Sequence, residues 1–192
     1  MSTFLLYNKT VEVIDMLTTT QIQENKIKYI ELLMKLDFDL TDLITYLEAI
    51  NYFEAPNTTQ YFRSYSGGLC QTALDLYAAL KAQADRYWPG RYTEKDIIIV
   101  ALFKNIYRAE MYELSGDKYK TKKDRTVYGD LGFSSYMTVR HFYKEMSDEQ
   151  ILAICHGSVS DNSIDIYEIR RNYPLVTLTM LAETLVTTFS EE

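Results

Sequence analysis

Histidine, cysteine, proline and glycine are all scarce in this chain of 192 residues, with two, two, three and seven of each. The histidines, His141 and His156, lie in separate segments without metal-ligand spacing. No HExxH, CxxC pair, GxSxG or phosphate-binding loop occurs, which removes the common signatures of zinc, dithiol, serine-hydrolase and P-loop chemistry. Neither histidine is expected to be catalytic, and His156 near a helix C-terminus is accounted for by the helix dipole. Cys70 and Cys155 sit in apolar surroundings, suiting a reducing cytosol and two buried small hydrophobes. So little glycine and proline excludes a loop-rich or disordered chain. No apolar run approaches the roughly 20 residues that span a bilayer. The start, Met1-Ser2-Thr3-Phe4-Leu5-Leu6, has neither the basic region nor the apolar core of a signal peptide. The net charge of −7 argues against a general nucleic-acid binder and favours solubility. A cytoplasmic protein with no membrane partner is expected.

What remains is ordinary in amount and unusual in one respect. The chain is 47% hydrophobic and long enough for one domain, residues 1–192, with a substantial single core. Tyrosine is the outlier, at 17 residues against eight Phe and one Trp. Such rings are half-buried with wet hydroxyls, or they line a cleft and stack on planar ligands; composition leaves both open.

The most informative stretch runs from Ile97 to Arg108. Seven consecutive apolar residues, Ile97 to Phe103, end abruptly in Lys104 and Asn105. Thr93 and Asp96 have capping-box spacing, and polar residues extend the segment past strand length, so residues 94–112 read as a central helix apolar on every side. Lys104 and Arg108 then fall one turn apart on one face, beside the driest part of the protein. A lysine there needs a partner or a purpose.

Helical spacing also marks 20–36, 40–52, Leu69 to Tyr87, 133–145, 148–156 and a last helix from Pro174. Residues 1–18 form an arm of unassigned role. Ser115-Gly116-Asp117 and the lysines that follow predict a hairpin or flap over 113–129, solvated by default. The fold class is therefore all-α, with one small β-hairpin. The segment 1–38 reads as N-terminal arm and helix, and 40–188 as the core.

Several stretches together are familiar: Tyr46-Leu47-Glu48, Tyr52-Phe53-Glu54-Ala55-Pro56-Asn57-Thr58-Thr59, and Tyr65-Ser66-Gly67-Gly68-Leu69. So are Ala101-Leu102-Phe103-Lys104-Asn105, the lysine-containing flap, and the Tyr173-Pro174-Leu175 helix carrying Ala182-Glu183. In this order, over about residues 40–188, the chain resembles bacterial and phage members of the HD-domain phosphohydrolase family. The resemblance implies an HD-like helical bundle presenting histidines and aspartates to divalent metals.

At those positions the sequence departs from the family pattern. Phe62 and Thr72 stand where the resemblance implies histidines, Lys104-Asn105 where it implies the His-Asp pair, and Asp130 where it implies a later histidine. Glu183 alone keeps a carboxylate. A divalent ion needs several neutral imidazoles or carboxylates at about 2 Å, and an ammonium supplies neither. No metal, no cofactor and no catalytic residue is therefore assigned. The expectation is a catalytically inactive, HD-like pseudoenzyme binding a phosphate-containing ligand, a nucleotide or cyclic nucleotide. In a phage setting, such a protein would sequester a host defence signal in the host cytoplasm.

The residues assigned to that ligand are Lys104, Arg108, Asn105, Thr72, Tyr65, Tyr61, Asp130, Glu183 and Lys122. Lysine and arginine would hold phosphate, and tyrosine would stack on a base. An alternative keeps Lys104 for an internal carboxylate, Glu183 or Asp130, and makes the protein an interaction module or inhibitor of a host protein. An altered phosphohydrolase using Asp130 and Glu183 as acid and base is the third alternative. Long apolar helices also allow a homo-oligomer.

Overall fold

The computed structural model describes residues 16–124, 130–158 and 165–189. The described chain is mainly helical with one two-stranded antiparallel sheet, which agrees with the fold class read from the sequence. No helix among the described residues is long and apolar enough to cross a membrane. The arm over 1–18 lies almost wholly outside the described residues.

The fold is built around α4 (Glu94–Phe103), whose apolar residues Ile97 to Phe103 are all buried. One side of it, with Ile98, Ile99, Leu102 and Phe103, packs against α1 (Thr19–Leu33) and α2 (Thr41–Ala49) through Tyr29, Leu33, Leu43 and Leu47. The opposite side, with Ile97, Val100 and Ala101, meets α3 (Gly68–Tyr87) and α9 (Pro174–Phe189) through Leu76, Leu80, Leu175, Leu178 and Ala182. Each such aliphatic side chain contributes about 1.5–3 kcal/mol by leaving water. A helix so enclosed presents no polar face, which is why the run is uninterrupted.

Polar contacts fix the helix ends. The Thr93 hydroxyl accepts from the Asp96 backbone N–H while the Asp96 carboxylate accepts from that of Thr93, completing the capping box. Ser147 and Gln150 do the same for α7 (Asp148–His156), and Gln150 Nε2 donates to Asp96 Oδ1 at 2.7 Å, joining the two N-termini. Glu149 accepts from the Tyr92 hydroxyl and from the Leu175 N–H in the first turn of α9. The buried Tyr29 hydroxyl donates to the Leu102 carbonyl at the C-terminal end of α4. These contacts satisfy helix-end groups that burial would otherwise strand.

The expected helix over 94–112 is shorter, because α4 ends at Phe103. Residues 104–107 turn, and the chain resumes as the single turn α5 (Arg108–Met111). The backbone N–H groups of Ile106, Arg108 and Ala109 reach back three residues, to Phe103, Asn105 and Ile106, which tightens the chain there. Lys104 and Arg108 therefore do not share one continuous α-helix.

The hairpin comprises β1 (Tyr112–Ser115) and β2 (Lys118–Thr121), paired from Tyr112↔Thr121 to Ser115↔Lys118 around Gly116, whose φ is +66°. Residues 125–129 of the expected flap lie outside the described residues. The helix expected over 133–145 is α6 (Leu131–Val139), and α8 (Ile166–Asn172) forms where the sequence reading assigned no element.

Candidate functional site

Two glycines set the entry to the site. Gly67 is the N-cap of α3 at φ +84°, in the left-handed region that side chains avoid. A Cβ on Gly68 would collide with the Arg63 carbonyl oxygen. The loop 57–66 therefore lies directly on the start of α3, and it buries Arg63, 3% exposed.

Arg63 forms one end of a chain of polar contacts. Its Nη2 lies 2.5 Å from Asp75 Oδ2 and its Nη1 3.4 Å from Thr72 Oγ1, while the Thr72 hydroxyl donates to the Gly68 carbonyl. The Asn57 N–H donates to the Arg63 carbonyl, and Arg108 Nη1 donates to the Asn57 carbonyl at 3.0 Å. Tyr112 shares that acceptor at 3.4 Å. Arg108 Nε also donates to Asn105 Oδ1.

At the other end, Lys104 Nζ lies 3.0 Å from Glu183 Oε1, with side chains only 4% and 14% exposed. Burial pushes the Glu183 carboxyl up, but the Lys104 ammonium, with Arg108 and a hydrogen bond to Ser158, outweighs it and holds the group below the usual carboxylate range. Lys104, Asn105, Arg108 and Glu183 are thus brought together from the turn that follows α4, from α5 and from α9, with Thr72 reached through Arg63 and Asn57.

The other residues assigned from sequence lie in different settings. Tyr61 is 79% exposed. Tyr65 is half-buried and donates from its hydroxyl to Gln71 Oε1. Asp130 is exposed and caps α6, accepting from the Phe133 N–H at 2.7 Å. Lys122 lines a separate cavity of about 800 Å³ between the hairpin and the chain after α2, in company with Glu54, Glu110, Glu113 and Asp124. Four carboxylates around one ammonium give that cavity a field unfavourable to phosphate.

Sequence reading passed over Arg63, Asp75 and Asn57. A signal for the first exists: Arg63 is the only charged residue between Glu54 and Asp75. A lone charge in such a stretch calls for a partner once the loop packs down.

The donor set does not fit a divalent metal. An ammonium, an amide and a hydroxyl occupy the relevant positions, and the one carboxylate there, Glu183, already accepts from Lys104. No group of three or more His, Cys, Asp or Glu able to hold a metal ion occurs among the described residues.

Comparison with known proteins assigns no family. No family model matches the chain, and no curated protein and no solved structure matches it at a significant level. What the chain does has to be argued from its own residues.

Proposed function

We propose that this chain is a binding protein without hydrolytic activity, built on an HD-like helical framework, whose polar centre receives the phosphate of a nucleotide or cyclic nucleotide. The observation that carries this reading is the company kept by Arg108. Lys104 and Arg63 are each ion-paired with a carboxylate, whereas Arg108 hydrogen-bonds two neutral oxygens, those of Asn105 and Asn57, and acts on Glu183 through its charge. The cluster of Arg63, Lys104, Arg108, Asp75 and Glu183 therefore carries one more cation than anions. A half-buried guanidinium retaining further N–H donors suits a phosphate oxygen pair.

In this reading Arg108 is the principal anion contact, Asn105 orients it, and Lys104 is structural. The ammonium of Lys104, locked to Glu183, does the mechanical work of a cation that ties α4 to α9. Hydrolysis is not part of the proposal, because the two carboxylates of the cluster, Asp75 and Glu183, are engaged by Arg63 and Lys104.

Isothermal titration against a panel of mono-, di- and cyclic nucleotides tests it. Saturable binding that Arg108→Ala abolishes, with the helical circular dichroism unchanged, is the expected result. Absence of binding by the wild-type protein would overturn it. Mass spectrometry of the same mixtures reads turnover, and a hydrolysed nucleotide would contradict the non-catalytic assignment.

One observation favours the alternative of a protein-interaction module. The pairing of Lys104 with Glu183 is what that reading requires, and it leaves the functional surface elsewhere. A wild-type protein silent towards every nucleotide would leave this alternative standing.

A further inference from the structure

The segment joining α6 to α7 is pinned by two aromatic side chains. Phe142 packs on Tyr46, and the buried Tyr143 packs on Phe38 and Phe103. Arg140, His141 and Lys144 of the same segment are exposed, and together they line a cavity of about 400 Å³ between the end of α6 and the first turn of α7. Because the backbone that carries them is anchored in the core, little ordering is left for a ligand to impose.

Charge sets this cavity apart. The chain has 27 acidic residues against 20 Lys and Arg, yet no carboxylate among the described residues lines it. Among the described residues, none of the three bases is in an ion pair. The nearby carboxylates are engaged elsewhere: Glu149 accepts from the Tyr92 hydroxyl and the Leu175 N–H, and the charge of Glu145 acts on Lys95. The helix dipole accounts for one cation at the end of α6, Arg140, but not for three around one hollow. The remaining wall is apolar or aromatic, with Tyr136, Met137 and Met146. The Arg140 guanidinium lies along that wall, 5.7 Å from the centre of the Tyr136 ring and with Nη1 3.9 Å from Met137 Sδ.

We propose that this cavity binds a small organic anion, a planar ring bearing a phosphate or a carboxylate. Arg140, His141 and Lys144 supply N–H donors to the acidic group, and those of the guanidinium and ammonium are charge-assisted for either oxyanion. Tyr136 and the two thioethers receive the ring. The volume lies in the range of small-molecule sites, about 300–1,000 Å³. The site shares no residue with the Arg108 centre, so it does not rest on the function proposed for that centre.

NMR of protein carrying isotope-labelled methionine methyl groups reads the two sites separately. Met137 and Met146 report this cavity, and Met111, on α5 with Arg108, reports the other. The probes are phenyl phosphate, benzoate, inorganic phosphate, phenol and a glutamate-rich peptide. Phenyl phosphate or benzoate is expected to move the Met137 and Met146 signals saturably, and the tighter of the two assigns the acidic group. Arg140→Gln and Lys144→Gln should each weaken that binding by about tenfold. Both side chains are exposed, so circular dichroism should not change, and Arg108→Ala should leave the binding as it is. Signals that neither aromatic anion moves would overturn the inference. So would inorganic phosphate or phenol binding as tightly as the aromatic anions, or an affinity that survives both glutamine substitutions together. Movement by the peptide alone would give the face to a protein partner and overturn it equally.

Discussion

Lys104 and Glu183 are separated by 79 positions in sequence and by 3.0 Å in the fold. The lysine ends the most buried helix and the glutamate sits on the helix packed beyond it, so one contact joins the centre of the chain to its last described element. Both side chains are largely withdrawn from water, and each makes the other's burial tolerable.

Acid should expose this dependence. Because the folded Glu183 carboxyl titrates below its ordinary value of 4.5, its contribution to stability is fully present above that value and is lost as pH falls through the lower, folded one. The acid limb of stability for wild type should therefore be steeper below about pH 4.5 than for Glu183→Gln, as measured by urea midpoints across pH. Parallel limbs would show that the pair titrates without consequence for folding.

The loop over 57–66 should be the next most sensitive place. Gly68→Ala drives a methyl into the Arg63 carbonyl and should cost on the order of 1–3 kcal/mol by overpacking, read as a lowered denaturant midpoint. Arg63→Leu should also destabilise, since it removes both the Asp75 and Thr72 contacts. If both variants keep wild-type stability, the loop does not rest on α3 as described.

Cys70 should be chemically silent. Burial pushes its thiol up to about 12, and it is 1% exposed, so thiolate and access are both lacking at neutral pH. A thiol reagent should modify it only at the rate of unfolding, and fast labelling in native buffer would contradict this.

Much of the architecture was legible in the sequence because local rules and tertiary demands agreed. The capping boxes at Thr93 and Ser147 announce α4 and α7, and the unbroken run from Ile97 to Phe103 announces a helix enclosed on all sides. Extending that helix to 112 went too far, because helix-forming residues such as Arg108 and Glu110 also tolerate the tight turns that follow Phe103. The pairing of Lys104 with a carboxylate was legible only as a choice between Glu183 and Asp130. Periodicity cannot decide it, and the fold uses Asp130 as the cap of α6 instead. Arg63 was missed because nothing local shows that its loop is pressed against Gly68.

A double-mutant cycle on Lys104 and Glu183, followed by equilibrium denaturation, tests most directly whether the ion pair holds the centre together. Lys104→Met and Glu183→Leu should each cost about 3–5 kcal/mol by stranding a buried charge, and the double variant should recover most of that loss. Losses that simply add would contradict the account, since they would show that the two charges do not depend on each other.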